Sequence, residues 1–219
     1  IWRMRTAAGR DLIKVFGDAN AYVPTEGGYE EYVGSGYRAP GWREPYTVVE
    51  RGDRFLVLEA NLSNGLRLTR RLALDAKKPL VTITSTLLNT TDQTQTACLR
   101  VHPEFAVSDL AKTTARVLGA DGSWRTITLA NPADPQAERD EFLRETDVPN
   151  GAWAVVDAGA DLAIVNRFGK GQVSQALLNR SGKQSRVNLE LYSPEVQLSP
   201  GKTLTLEHSY EVVAPEDVK

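Results

Sequence analysis

A chain of 219 residues that is 41% hydrophobic is long enough to bury one large core, so residues 1–219 are expected to form a single domain. Acids and bases are interspersed and the formal charge is -2, which leaves no basic stripe for a phosphate backbone and argues against a nucleic-acid partner. One cysteine, Cys98, excludes an internal disulfide and fits cytoplasm and periplasm equally, and no apolar run approaches the roughly 18 residues of a membrane helix, so no membrane partner is expected.

The opening IWRMRTAAGRDLI already alternates apolar and polar residues, so residue 1 is expected inside a strand, with an opening strand or strands lying upstream in a longer chain. Residues 17–46, GDANAYVPTEGGYEEYVGSGYRAPGWREPY, are rich in Gly, Pro and aromatics; a loop of that length in a compact domain is commonly functional. From there the period is two: FLVLEANL at 55–62, LRLTRRLAL at 66–74, LVTITSTLL at 80–88 and, near the end, TLTLEHSYEVV at 203–213. Turn chemistry separates such runs, as in RGDR at 51–54, SNG at 63–65, GADGS at 119–123, PNG at 149–151 and SPGK at 199–202. LANPADPQAERDEFLRET at 129–146 is polar and acidic and is expected to be a surface excursion with one short helical turn. More than ten strands joined by hairpins predict an all-β fold, a large antiparallel β-sandwich.

Three stretches could carry chemistry. In LRVHPEF at 99–105, Pro103 cannot donate to a strand ladder, so the strand is expected to end or bulge there and aim His102 and Glu104 towards a rim. A histidine in that place is either a proton donor or a hydrogen-bonded structural group. GGYEEY at 27–32 brings Tyr29, Glu30, Glu31 and Tyr32 together after a glycine turn; carboxylates accept hydrogen bonds from sugar hydroxyls and flat rings cover apolar C–H patches. The alternative is a solvated acidic loop. Trp42, in APGWREPY, is either a further stacking platform or a core residue.

In NLELYSPEVQLSPG at 188–201, Glu190 sits among apolar strand residues, where an unpaired carboxylate is costly and its pKa tends upward. Either an arginine neutralises it, Arg70 and Arg71 being the candidates, or it faces a cleft as a poised base. Successive strand residues face opposite sides, so only one of Arg70 and Arg71 can point inward. No elbow for a nucleophilic serine and no acidic loop with calcium spacing is present, and neither a metal nor a cofactor is expected.

Taken in order, IWRMRTAAGRDLI, the GG turn, LTRRLAL followed by TSTLLNTTD, LRVHPEF and ELYSPEVQLSPGKTLTLEHSYEV resemble the galactose mutarotase-like (aldose 1-epimerase) superfamily over nearly the whole chain. The resemblance implies that superfamily's supersandwich and a carbohydrate partner. It also implies roles: Glu190 as the base that takes the proton of the anomeric hydroxyl, His102 as the acid that protonates the ring oxygen, and Arg70 or Arg71 holding sugar hydroxyls. The chain departs from the simple epimerases in two ways. Its only other histidine, His208, lies in the last strand, and Glu104 stands where they have an aromatic residue. Three functions follow as expectations: a carbohydrate-binding protein whose cleft uses Tyr29, Glu30, Glu31, Trp42, Glu104, His102 and Glu190; an active aldose 1-epimerase or part of a sugar-processing enzyme; or an accessory sandwich that docks on a partner domain.

Overall fold

The computed structural model describes residues 4–6, 9–14, 27–36, 39–42 and 44–218. The expected strand at residue 1 and the stretches 17–26, 37–38 and 43 of the long Gly- and Pro-rich segment lie outside the described residues. Among the described residues the first strands are β1 (Tyr29–Val33), β2 (Thr47–Arg51), β3 (Phe55–Asn61), β4 (Leu66–Leu74), β5 (Leu80–Asn89), β6 (Gln95–Ala97), β7 (Leu99–Ala106) and β8 (Thr113–Leu118). There follow β9 (Trp124–Thr128), β10 (Glu138–Arg144), β11 (Ala152–Asp157), β12 (Leu162–Phe168), β13 (Gln175–Ser181), β14 (Arg186–Tyr192), β15 (Val196–Leu198) and β16 (Thr203–Val213). Only single turns of 3-10 helix interrupt them, and no helix here is long and apolar enough to cross a membrane.

The strands form two large antiparallel sheets. Nine pair in the order β2-β3-β4-β5-β16-β12-β11-β8-β9, five in the order β1-β7-β14-β13-β10, and β15 with β6 makes a small ribbon. The alternation seen in the sequence is what joins the sheets. Leu66, Leu68, Ile83, Leu87 and Leu206 of the larger sheet face Leu99, Val101, Phe105, Val187, Leu189 and Leu191 of the smaller in one hydrophobic cluster. Burial of such aliphatic side chains contributes roughly 2 kcal/mol each, enough to fix the register of every strand involved, because a slip of one residue would turn the whole apolar set outward.

Three expectations change. β7 runs unbroken from Leu99 to Ala106 through Pro103 in constant register, so His102 and Glu104 lie within a strand and not at a rim. The excursion at 129–146 contains strand β10, the edge of the five-stranded sheet, and only Glu145–Asp147 forms a helical turn. Acids and arginines fill β10: Glu138 and Asp140 face a polar cavity and on the other face only Leu143 is buried, so it lacks the continuous apolar face that marks a strand in the sequence. Within the 27–32 segment, residues from Tyr29 onward belong to strand β1 and not to a loop. Gly41, at φ +104, lets the following turn lie across it: a Cβ there would come within 2.9 Å of the Glu31 carbonyl oxygen.

Candidate functional site

The inner face of the five-stranded sheet is mostly apolar and its outer face is not. Arg100, His102 and Glu104 alternate along β7, and Arg186, Asn188, Glu190 and Tyr192 along β14, with core residues between them. Pairing aligns these side chains into rows. Glu30 of β1 stands opposite His102, and the pairs Asn188 with Glu104 and Leu191 with Val101 bracket a position where Glu190 faces His102. Leu177 of β13 continues that row, while Asn179 and Asp140 continue the row of Glu104 and Asn188. Together they line a pocket of about 290 Å³.

Glu190 is 1% exposed and His102 7%, so both are largely stripped of water, yet both form the wall of this one pocket. The two oxygens of Glu190 have different surroundings. Oε2 accepts from Arg100 through Nε and Nη2, both at 2.7 Å, and from the Tyr192 hydroxyl at 3.1 Å. Oε1 lies 3.3 Å from His102 Nε2. Burial first and then the nearby Glu190 charge push the Tyr192 phenol well up, so it stays a proton donor to that carboxylate.

Arg100 is itself held between two rings, 5.3 Å from the centre of Tyr32 and 5.2 Å from that of Tyr192. Those aromatic faces therefore clamp the guanidinium.

His102 carries a proton problem. Asn188 Oδ1 accepts from Arg186 at 3.1 Å, which turns the Asn188 amide nitrogen towards His102 Nε2 at 3.3 Å. A neutral ring that accepts there has its proton on Nδ1, which meets no hydrogen-bond partner and lies 3.7 Å from Glu30 Oε2. In that tautomer Nε2 and Glu190 Oε1 are two acceptors facing each other, and a proton on Nε2 or a ligand hydroxyl relieves them. Burial lowers the His102 pKa; Glu190 and Glu30 push it back, Arg100 and Arg186 add to the lowering, and the balance lies below the ordinary histidine value.

The far wall is a second polar cluster. Arg186 binds Glu138 at 2.5 Å and Asn179, with Glu104 at 3.7 Å, and Asn179 donates to Asp140 at 2.6 Å.

The other residues singled out in the sequence lie elsewhere, for one reason: strand alternation divides them. In β1, Glu30 faces the pocket, whereas Tyr29 and Glu31 face the space between the sheets. There Arg70 Nε binds Glu31 at 2.8 Å, Ser85 donates to the same carboxylate at 2.8 Å, and Tyr29 donates to it as well. Arg70 is thus the inward member of its pair, but it points into the interior and away from the pocket. Arg71 lies exposed on the opposite face over the Phe55 ring. The arginine on Glu190 is Arg100, two residues before His102. Trp42 is buried and takes no part in the pocket lining. His208 belongs to the interior cluster, between the Tyr29 hydroxyl at 2.9 Å and Asn166 at 3.4 Å, and burial lowers its pKa to about 4.

A larger pocket, about 740 Å³, opens between β3, β4, β5 and residues Met4–Thr6, with Leu56, Leu72, Val81 and Val212 in its walls. Arginines, Lys78, Asp53 and Asp75 also line it, but neither a histidine nor a glutamate does. Among the described residues, no three His, Cys, Asp or Glu side chains meet in a group that could hold a metal ion.

No protein-family model matches the sequence, and no curated protein matches it. Solved structures do match in fold. The Slr1438 protein of Synechocystis sp. PCC 6803 superimposes with a TM-score of 0.71 at 12% identity, over 95% of this chain and 86% of that one. A galactose mutarotase related enzyme from Lactobacillus acidophilus gives 0.66 at 11% identity, over 99% of this chain and 92% of that one. A galactose mutarotase-like protein from Lactobacillus casei gives 0.65 at 10% identity, over 94% and 91%. At such identities the likeness carries architecture and leaves chemistry to the site itself. The two packed antiparallel sheets and these superpositions together establish that the chain has the galactose mutarotase-like fold.

Proposed function

We propose that the chain binds a sugar in the pocket on the outer face of the five-stranded sheet, and that Glu190 and His102 open its ring. The observation that supports this most is the 3.3 Å approach of Glu190 Oε1 to His102 Nε2 in the wall of one pocket. Opening a cyclic hemiacetal needs one base and one acid near each other and no metal. Glu190 takes the proton of the anomeric hydroxyl, the C1–O1 bond becomes a carbonyl, the C1–O5 bond breaks, and His102 protonates O5. Rotation of the open aldehyde and the reverse transfers close the other anomer. Arg100 and Tyr192, both bound to Oε2, hold the carboxylate in place and direct Oε1 at the reacting hydroxyl.

An accessory sandwich with a structural histidine fits less well, because the groups around His102 are the side chains of Glu190, Asn188 and Glu30 and not backbone.

The test is polarimetry of freshly dissolved glucose and galactose, corrected for the rate of the buffer. The acid must carry its proton, and the His102 pKa lies below 6.5. The protein-dependent rate is therefore expected to rise as the pH falls from about 8 towards that value and to be lost at alkaline pH. A rate that is flat or grows towards alkaline pH removes His102 from the acid's role.

A further inference from the structure

We infer that the pocket selects sugars whose C6 position is uncharged or cationic and rejects 6-phosphates and uronates, with Glu30 as the specificity-determining residue. This rests on the sugar reading above and adds a direction to it. If O5 faces His102 and O1 faces Glu190, the ring is laid along the row that runs Glu30, His102, Glu190 across three strands. C5 and its C6 substituent are bonded on the O5 side of the ring, so they lie beyond His102, away from Glu190. The side chain at that end is Glu30, opposite His102 on β1, whereas Glu104, two residues along β7, stands in the adjacent row opposite Asn188.

Charge agrees with position. Five carboxylates and two arginines line the pocket among the described residues, and the histidine is driven towards its neutral form. Both arginines are committed to carboxylates, Arg100 to Glu190 and Arg186 to Glu138 and, at 3.7 Å, to Glu104. Among the described ion pairs neither is bound to Glu30. A phosphate or carboxylate on C6 would meet the like charge of Glu30 in a partly dehydrated wall, where repulsion at a few ångströms costs at least roughly tenfold in affinity. A C6 ammonium would meet the same charge with the opposite sign. His102 Nδ1, buried and without a hydrogen-bond partner, lies beside Glu30 at the same end and offers a donor to a C6 hydroxyl.

Calorimetric titration of the whole chain decides this, with glucose, 6-amino-6-deoxyglucose, glucuronate and glucose 6-phosphate at low and moderate salt. The expected order is the amino sugar tightest, then glucose, then the two anions at least tenfold weaker than glucose, with the gaps narrowing as salt rises. In Glu30→Gln the ratio of glucose 6-phosphate to glucose dissociation constants is expected to fall several-fold. An anion that binds as well as glucose, or a ratio unchanged in the variant, overturns the inference while leaving the sugar reading in place. Heat from none of the four sugars overturns both.

Discussion

Replacement of Glu190 by glutamine is expected to lower the protein-dependent rate of anomer exchange by at least about 100-fold, with little change in sugar affinity. The substitution keeps size and shape. The glutamine side chain can still accept from Arg100 and Tyr192 through its carbonyl oxygen, the two partners now on Oε2. What it cannot do is take a proton from the anomeric hydroxyl with the remaining atom, since an amide nitrogen is not a base at any pH of interest. A drop in rate with the binding constant preserved is the signature of a group used in the transition state alone. Loss of affinity with the rate per bound sugar unchanged would make Glu190 a ligand for the sugar and not its base.

The second large effect concerns stability. Arg70→Ala is expected to destabilise the fold by about 3–5 kcal/mol, a fall of roughly 10 °C in melting temperature for a chain of this size. Glu31 is 1% and Arg70 5% exposed, so removal of the guanidinium leaves a carboxylate between the sheets with Ser85 and Tyr29 but no opposite charge in contact. Burial pushes the Glu31 pKa up, while Arg70, Tyr29, His208 and Ser85 pull it down, and the balance in the intact protein lies below 4.5. A depressed carboxylate pKa stabilises the fold above the unfolded value, and that contribution is lost as the pH drops through the folded value.

Without Arg70 the sign reverses. Burial then dominates and Glu31 titrates higher in the folded than in the unfolded chain. The deficit of the variant is therefore expected to be greatest near neutral pH and to shrink towards about pH 4. Arg71→Ala serves as the comparison: its side chain lies on the exposed face over Phe55, and its removal is expected to cost about 1 kcal/mol or less. Equal losses in the two variants would show that the interior ion pair contributes nothing beyond the bulk of an arginine.

The architecture was legible because its long strands bury one face. LRLTRRLAL, LVTITSTLL and TLTLEHSYEVV carry the alternation of β4, β5 and β16, and the core is made from those alternate positions. β10 escaped because neither of its faces is continuously apolar. In the site, His102 and Glu190 stood out as single residues of unusual type, but the groups around them did not. The signal was nonetheless there. Period two puts Arg100 and Glu104 on the face of His102, and Arg186, Asn188 and Tyr192 on that of Glu190, and it separates Glu30 from Tyr29 and Glu31 within GGYEEY. Periodicity cannot say which face of a strand turns to the other sheet when both are buried, as along the whole of β14. That choice depends on pairing between residues some 90 positions apart, such as Arg100 with Tyr192, and it decided that Arg70 serves Glu31 and not Glu190.

A crystal structure of the chain soaked with a neutral hexose tests the central claim most directly. The account expects one pyranose in the pocket of the five-stranded sheet, its anomeric oxygen within hydrogen-bond reach of Glu190 Oε1, its ring oxygen towards His102 and its C6 towards Glu30. A hexose in the apolar pocket beside β3 and β5, or in the expected pocket with its anomeric carbon away from Glu190, would contradict it.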